Sequence, residues 1–372
     1  IKMNSTVRNV DLSINDNHGV ILFIDEIQVS DAAMASLKYL ATAKGIITIA
    51  SGSLLGLKTN SSELYPVGSL TEYEMHQLDF EEFMLANDYK SDFITDIVDM
   101  LKNGEKIPND IHEELLLLFR RYAVCGGLPQ NVIMGRLYGY DSHNLYENQK
   151  SLLDGYVADI AKYAPKDIRI KAQAIFLSIP KSLARENTKY TYNTIEPGAR
   201  SKDYKNGISW LISQGLIKVV HNVSSLEMPL KVNKVEEDFK LYLGDSSMLV
   251  AMLGEGTASQ ILDMNKDFQK GMFFENIMSQ LLFIICDNVY YFSRNSTLEI
   301  DFLIENKQGP IFIEAKSSNN TKAKSLSTVM KEFENSYGIK VSGKNIGISD
   351  RLYAIPHYGL NFFDEIISNK NN

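Results

Sequence analysis

The sequence predicts a multidomain α/β chain, and three observations carry that prediction. An apolar run at residues 19–24 (GVILFI) is followed by a stretch with helical spacing and then by a second apolar run at 46–50 (IITIA). A long middle region, 80–164, keeps helical periodicity with few interruptions. From about residue 270 a helix gives way to three short apolar strands and another helix. Strands and helices alternating in this way build α/β layers. The 372 residues allow two or three domains at roughly 150 residues each. A hydrophobic content of 44% and a charged content of 23% are ordinary for a globular protein that buries its core without staples.

Each element follows from local pattern. The continuous run at 19–24 is expected to be a strand buried on both faces. Met34, Leu37 and Ala41 recur at helical spacing over 31–43, and Gly45 ends that helix. Strand, helix and strand in this order predict a right-handed crossover between parallel strands. The helical region 80–164 is broken at Gly104 and Pro108 and again at 125–129 (CGGLP), where Gly126 and Gly127 are expected to form only a helix-breaking turn. Helices are expected at 172–178, near Ile195 and at 202–214, with Trp210 and Leu211 in the core. The last of these stops at Gly215 and leads into a strand at 216–220. Short helices followed by a hairpin are the outline of a winged helix. The final module is expected to hold a helix at 271–286, strands at 289–293, 298–304 and 311–315, and a helix at 325–333. The polar tail, 368–372, is expected to fray.

Composition excludes several classes. A net charge of −8 is not that of a wholly basic nucleic-acid binder. The charge is uneven, however. Residues 61–120 hold fourteen acids against four bases, whereas 161–240 hold fourteen bases against eight acids. Cys125 and Cys286, far apart in sequence, fit a reducing cytoplasm better than a disulfide scaffold. Apolar runs such as 281–286 are far below membrane-spanning length, and no signal peptide is visible, so a cytoplasmic protein without a membrane partner is expected. His18, His76, His112, His143, His221 and His357 are scattered without metal-ligand spacing.

The first apolar run ends in Asp25 and Glu26. In a parallel sheet the carboxyl ends of strands face the ligand crevice. An acid there can hold Mg²⁺ through water, and its neighbour can polarise a water for attack on a γ-phosphate. The competing role is capping of the following helix, since acids favour helix N-termini. The next strand ends in Ser51-Gly52-Ser53, and the Ser51 hydroxyl is placed to sense the same phosphate.

At these residues the chain resembles a known family. The segments are 20–28 (VILFIDEIQ), 49–55 (IASGSLL), 65–68 (YPVG), 78–83 (LDFEEF), 122–129 (YAVCGGLP) and 159–164 (DIAKYA). They continue with 178–183 (SIPKSL), 198–200 (GAR), 210–217 (WLISQGLI), 239–245 (FKLYLGD), 271–276 (GMFFEN) and 299–304 (EIDFLI). In this order they resemble the prokaryotic AAA-family ATPases that carry a long C-terminal region of unknown function. The resemblance implies a partial AAA-type ATPase core over 1–85, a helical lid over 86–165, a winged helix over 166–255 and a restriction-endonuclease-like domain over 256–372. It matches Asp25 and Glu26 to the Walker B pair and Ser51 to the sensor residue. ATP and Mg²⁺ are the implied cofactors, and a homo-oligomer is an implied partner. Arg120 and Arg121 are the nearest candidates for an arginine finger, or else structural ion-pair residues. The chain begins at Ile1 and contains no G-x-x-x-x-G-K-[ST] loop, the backbone cradle and lysine that hold the phosphates. The expectation is therefore a piece of a longer ATPase that does not by itself bind ATP tightly.

Two further constellations carry chemistry. Lys181, Arg185, Lys189, Arg200, Lys202 and Lys205 lie near expected helix ends, with Lys231 and Lys234 near the hairpin and Tyr190 and Tyr192 available for stacking. Such cations suit DNA phosphates, and a solvated charged face is the alternative. At the C-terminal end, Glu314 and Lys316 share a strand face, and Asp301 can meet them from the neighbouring strand. Glu275 on the preceding helix can complete the cluster. Carboxylates so placed can hold Mg²⁺ or Mn²⁺ while a lysine orients the attacking water. The spacing resembles the PD-(D/E)xK nuclease core, so a metal-dependent DNA nuclease is the second expected function. A non-catalytic DNA- or protein-binding module is the third.

Overall fold

The computed structural model describes residues 19–27, 30–52, 70–185, 188–264, 270–294, 298–307, 309–316, 324–333 and 336–368. Ile1, His18, Gln28, Ser53 and residues 65–68 lie outside the described residues. The chain forms two compact units, 1–75 and 76–372.

In the first unit, strand β1 (Val20–Ile24), helix α1 (Asp31–Leu40) and strand β2 (Ile46–Ala50) appear in the expected order. The strands pair in parallel, Val20 opposite Ile46 through to Ile24 opposite Ala50. Helix α1 starts where Ser30 accepts a hydrogen bond from the Ala33 N–H, and it buries Leu37 and Leu40. The expectation of strands covered on both faces is corrected. Ile21 (67% exposed), Phe23 (62%), Ile47 (63%) and Ile49 (46%) all face outward. One helix against a two-stranded pair covers one face only.

The second unit opens with five helices, α2 (Phe80–Ala86), α3 (Ser91–Asn103), α4 (Asn109–Cys125), α5 (Pro129–Tyr138) and α6 (His143–Tyr163). Asp79 and Glu82 form a capping box at the start of α2, and Gly104 closes α3 in the left-handed conformation (φ 69°). Helices α7 (Arg169–Leu183) and α8 (Ser201–Ser213) follow, separated by a 3₁₀ turn at Tyr192–Thr194. Strands β3 (Ile217–Val223) and β4 (Lys234–Leu243) make the hairpin, with a register shift between His221 and Asn222. Trp210 and Leu211 are buried, as their apolar setting predicts.

Next come α9 (Ser246–Leu253), α10 (Thr257–Leu262) and α11 (Lys270–Ile285). Strands β5 (Tyr290–Arg294), β6 (Leu298–Glu305) and β7 (Pro310–Ala315) precede helix α12 (Lys324–Glu332). The chain continues through β8 (Tyr337–Ser342), β9 (Gly347–Ser349), β10 (Leu352–Pro356) and α13 (Phe363–Ser368).

Among the described residues, eight strands of this unit form one mixed sheet in the order β4-β3-β5-β6-β7-β8-β10-β9. The hairpin joins it through a short parallel contact, His221 with Tyr290 and Asn222 with Tyr291. A single core runs across the junction: Val223, Leu226 and Leu230 pack with Tyr290, Phe292, Ile300, Phe312 and Val329. The sheet therefore spans both sides of the boundary expected at 255/256. The architecture is a multidomain α/β fold with a large mixed sheet.

Candidate functional site

The first site is the carboxyl end of the β1–β2 pair. Parallel register brings the ends of the two strands level, so Asp25 and Ser51 become neighbours. The Ser51 N–H donates to the Ile24 carbonyl (2.9 Å), and the Ile27 N–H donates back to the Ser51 carbonyl (3.0 Å). These bonds hold the Ser51 hydroxyl against Asp25, to whose Oδ1 it donates a short hydrogen bond. The same oxygen accepts from the Glu26 N–H (3.1 Å). Glu26 has a left-handed backbone (φ 49°), which turns the chain sharply as it leaves the strand. For a residue with a Cβ that conformation costs roughly 1–2 kcal/mol, an expense typical of functional turns. Asp25 and Glu26 are both exposed at the end of the strand. An all-oxygen donor set of carboxylate and hydroxyl fits a hard cation such as Mg²⁺.

The second site lies in the other unit, where strands β4, β6 and β7 meet helix α11. The Asp301 carboxylate on β6 accepts from the Ala315 N–H of β7 at 2.7 Å, and Lys316 is near enough for its charge to act on Asp301. Lys316 Nζ is 2.5 Å from Glu314 Oε1. Tyr242 on β4 donates to Glu275 Oε2 on α11 (3.0 Å). Asn276 anchors that helix, accepting from the Leu243 N–H at 2.8 Å. Burial, reinforced by the Glu275 charge, raises the Asp301 carboxyl to about 7, against the pull of Lys240, the Ala315 N–H and Lys316. The structure thus gathers the four residues that spacing singled out.

It also adds one that spacing did not show. Lys240 on β4 is buried, with its ammonium 2.6 Å from Glu299 Oε1 and 4.9 Å from the centre of the Tyr291 ring. Burial alone would lower its pKa, but Glu275, Asp301 and Glu299 outweigh burial and hold it above the usual lysine value. The available signal was the alternation of Lys240 and Tyr242 on one face of a strand.

A divalent cation does not fit this cluster. Among the described residues no three His, Cys, Asp or Glu side chains are grouped to hold a metal ion. Glu275 is engaged by Tyr242, Glu299 by Lys240, Asp301 by the β7 backbone and Glu314 by Lys316. Glu314 Oε2 has no hydrogen-bond partner among the described residues, but it is not short of positive charge. Lys340 lies opposite Glu314 in the β7–β8 register and feels its charge.

The basic middle is less unified than its composition suggests. Lys181, Arg200, Lys202 and Lys205 are exposed. Arg185 donates to the Thr191 hydroxyl (2.6 Å), and Lys189 is paired with Asp238 (2.9 Å). Acids stand nearby: the Ser201 hydroxyl donates to Glu237 at 2.8 Å, and Lys205 lies close enough to Glu236 to lower its pKa alongside the larger effect of Lys234. Lys231 sits in a 3₁₀ turn at Leu230–Asn233, and Lys234 opens β4. Tyr190 and Tyr192 are committed to an aromatic cluster with Phe239 and Tyr204.

Arg120 and Arg121 belong to α4 in the second unit, where Arg121 lies over the Tyr140 ring. The histidines are internally satisfied where their bonds are resolved. His112 reaches Tyr358 Oη and the Gly343 carbonyl, His221 the Val235 carbonyl, and His357 the Lys316 carbonyl, while His143 pairs with Glu255.

Sequence reasoning also missed a buried carboxylate. The Gly126-Gly127 turn does lead into a helix, α5, and the anion at its start comes from the chain itself. Asp245 Oδ2 accepts from the Gly127 N–H (2.8 Å), and the Leu128 N–H also donates to that carboxylate. Its Oδ1 accepts from the Ser247 N–H at the start of α9 (2.9 Å). One carboxylate therefore caps α9 and ties the turn that precedes α5 to it.

Residues 3–84 match a family described as an AAA domain. Residues 116–259 match a Domain of unknown function (DUF8612), and 270–359 match another, DUF4143. The N-terminal segment is thus similar to an AAA domain. No curated protein and no solved structure matches it. Among the described residues no helix is long and apolar enough to cross a membrane.

Proposed function

We propose that Asp25, Glu26 and Ser51 are the cation-, water- and γ-phosphate-facing residues of an ATP-hydrolysing site. The observation that carries this reading is the hydrogen bond from Ser51 to Asp25 across the level carboxyl ends of two parallel strands. Asp25 would hold Mg²⁺ through water, Glu26 would accept a proton from the attacking water, and Ser51 would sense the γ-phosphate. Mg²⁺, when bound, neutralises charge on the transferred phosphoryl group. The phosphate cradle is not among residues 1–372, so the test uses the protein with a Walker A loop supplied ahead of β1. Glu26→Gln is expected to lower the ATP turnover of that protein by about 10²–10⁴-fold, the usual contribution of a general base. An unchanged rate removes the assignment.

The work coupled to turnover is, in this proposal, on DNA. Support comes from the exposed cations Lys181, Arg200, Lys202 and Lys205 at the ends of α7 and α8. Neutralising these four is expected to abolish a DNA mobility shift that in the parent chain weakens steeply with salt. A shift that survives the substitutions places DNA on another surface, and no shift by the parent chain removes DNA from the proposal. A second reading concerns the C-terminal segment, 256–372. The bond from the Ala315 N–H to Asp301, beside the Glu314–Lys316 pair, supports a layout like that of PD-(D/E)xK nucleases, hosted here by a binding module without metal-dependent cleavage.

A further inference from the structure

We propose that the ammonium of Lys240 is the built-in cation that Glu299, Glu275 and Asp301 face, standing where a divalent metal would have to sit to draw these separate acids together. The Lys240 side chain is only 2% exposed, and its Nζ is 2.6 Å from Glu299 Oε1. It comes from β4, whereas Glu299 and Asp301 come from β6, three places away in the sheet order. Its stem runs beside the Tyr291 ring, which offers its negative face to the ammonium. Tyr242, two residues further along the same face of β4, bonds Glu275, so this strand supplies both groups that hold the acids.

A buried lysine facing carboxylates is hard to remove without replacement, because a charge left without its partner in a low-dielectric setting is strongly destabilising. A fixed ammonium has two consequences that a metal would not. It cannot be taken away by a chelator, and it ties β4, in the expected 166–255 segment, to β6, in the expected 256–372 segment. Vacating the position while keeping the acids creates a pocket of oxygen donors suited to a hard cation. The inference extends the nuclease-like reading of this segment, but its test uses metal alone without DNA, so the two can fail separately.

The experiment is a Mn²⁺ titration of the whole chain, followed by loss of the free-ion electron paramagnetic resonance signal. Wild type is expected to show no Mn²⁺ uptake that Asp301→Asn removes, and its thermal midpoint is expected to be the same in Mn²⁺ and in EDTA. Lys240→Ser is expected to gain one saturable Mn²⁺ site, and the double variant K240S/D301N to lose it. Wild-type binding that Asp301→Asn abolishes overturns the proposal. So does a folded K240S chain that takes up no Mn²⁺. If K240S does not fold, Lys240→Gln is read by the same criteria, and wild-type uptake that Asp301→Asn abolishes overturns the proposal by itself.

Discussion

His357 and Asp301 respond to pH in opposite directions. The His357 ring lies between Phe274 (centroids 4.4 Å apart) and Phe119 (6.0 Å), with Nε2 facing the Lys316 carbonyl at 3.1 Å. That nitrogen must carry the proton of the neutral ring, since a carbonyl only accepts. Burial pushes the pKa down to about 4, with Arg120 a lesser contributor in the same direction. The unfolded chain takes up its proton near pH 6.5, so the stability held by the neutral ring is present above that value and is lost as pH falls toward 4. Asp301, raised to about 7 by burial and by Glu275, does the reverse. Its contribution is present below the unfolded pKa, near 3.9, and is lost as pH rises through 7. Urea midpoints measured from pH 4 to 8 separate the two. His357→Gln is expected to flatten the loss on the acid side, and Asp301→Asn the loss on the alkaline side. A slope unchanged by either substitution refutes that residue's role.

At the scale of elements, the glycine turn before α5 links distant segments. The Leu78 N–H donates to the Gly127 carbonyl (2.9 Å), Tyr122 Oη donates to the Leu78 carbonyl (2.8 Å), and Gln280 Nε2 on α11 donates to Tyr122 Oη (3.1 Å). A Cβ on Gly127 would lie 2.2 Å from the Leu78 carbonyl oxygen, and backbone cannot rotate away as a side chain can. Gly127→Ala is expected to cost about 2 kcal/mol in urea unfolding, within the range for overpacking. Asp245→Ala leaves the Gly127, Leu128 and Ser247 N–H groups without their acceptor, and a loss of about 3 kcal/mol or more is expected. Both variants staying within about 0.5 kcal/mol of wild type would show that the clasp contributes nothing.

Elements with strong periodicity were legible in the sequence. The expected helix 271–286 is Lys270–Ile285, and the expected strand 298–304 is Leu298–Glu305. Strand β8 alternates the apolar residues Tyr337, Ile339 and Val341 with Gly338, Lys340 and Ser342, a pattern that leaves one face polar. Those positions are nevertheless covered: Gly338 lies beneath Met330, and Lys340 neighbours Glu314 across the strand pair. Polar residues at buried positions defeat a reading by hydrophobic alternation.

At the scale of the whole molecule, the second unit is held by one sheet and a core that crosses the expected boundary at 255/256. Residues 256–372 expressed alone would lack β3 and β4 and expose Tyr290, Phe292 and Ile300. They would also lack Lys240, leaving Glu299 and Asp301 without their cation. The expected outcome is that 76–372 unfolds in a single denaturant transition by fluorescence and circular dichroism, while 256–372 shows no cooperative transition. A cooperative melt of the shorter piece would show that the boundary is a true domain limit.

The sequence by itself determined most helices and strands, the acids at the end of β1 and the four residues of the C-terminal cluster. Apolar period, breakers and short spacings are local properties, and local properties can be read along a chain. Only the tertiary structure decided that Lys240 reaches Glu299, that Asp245 binds the turn before α5 across more than a hundred residues, and that the hairpin joins the later strands in one sheet. Each is a meeting of groups remote in sequence. Their partners are selected by the burial of charge and of hydrogen-bonding groups, which acts only once the chain has closed upon itself.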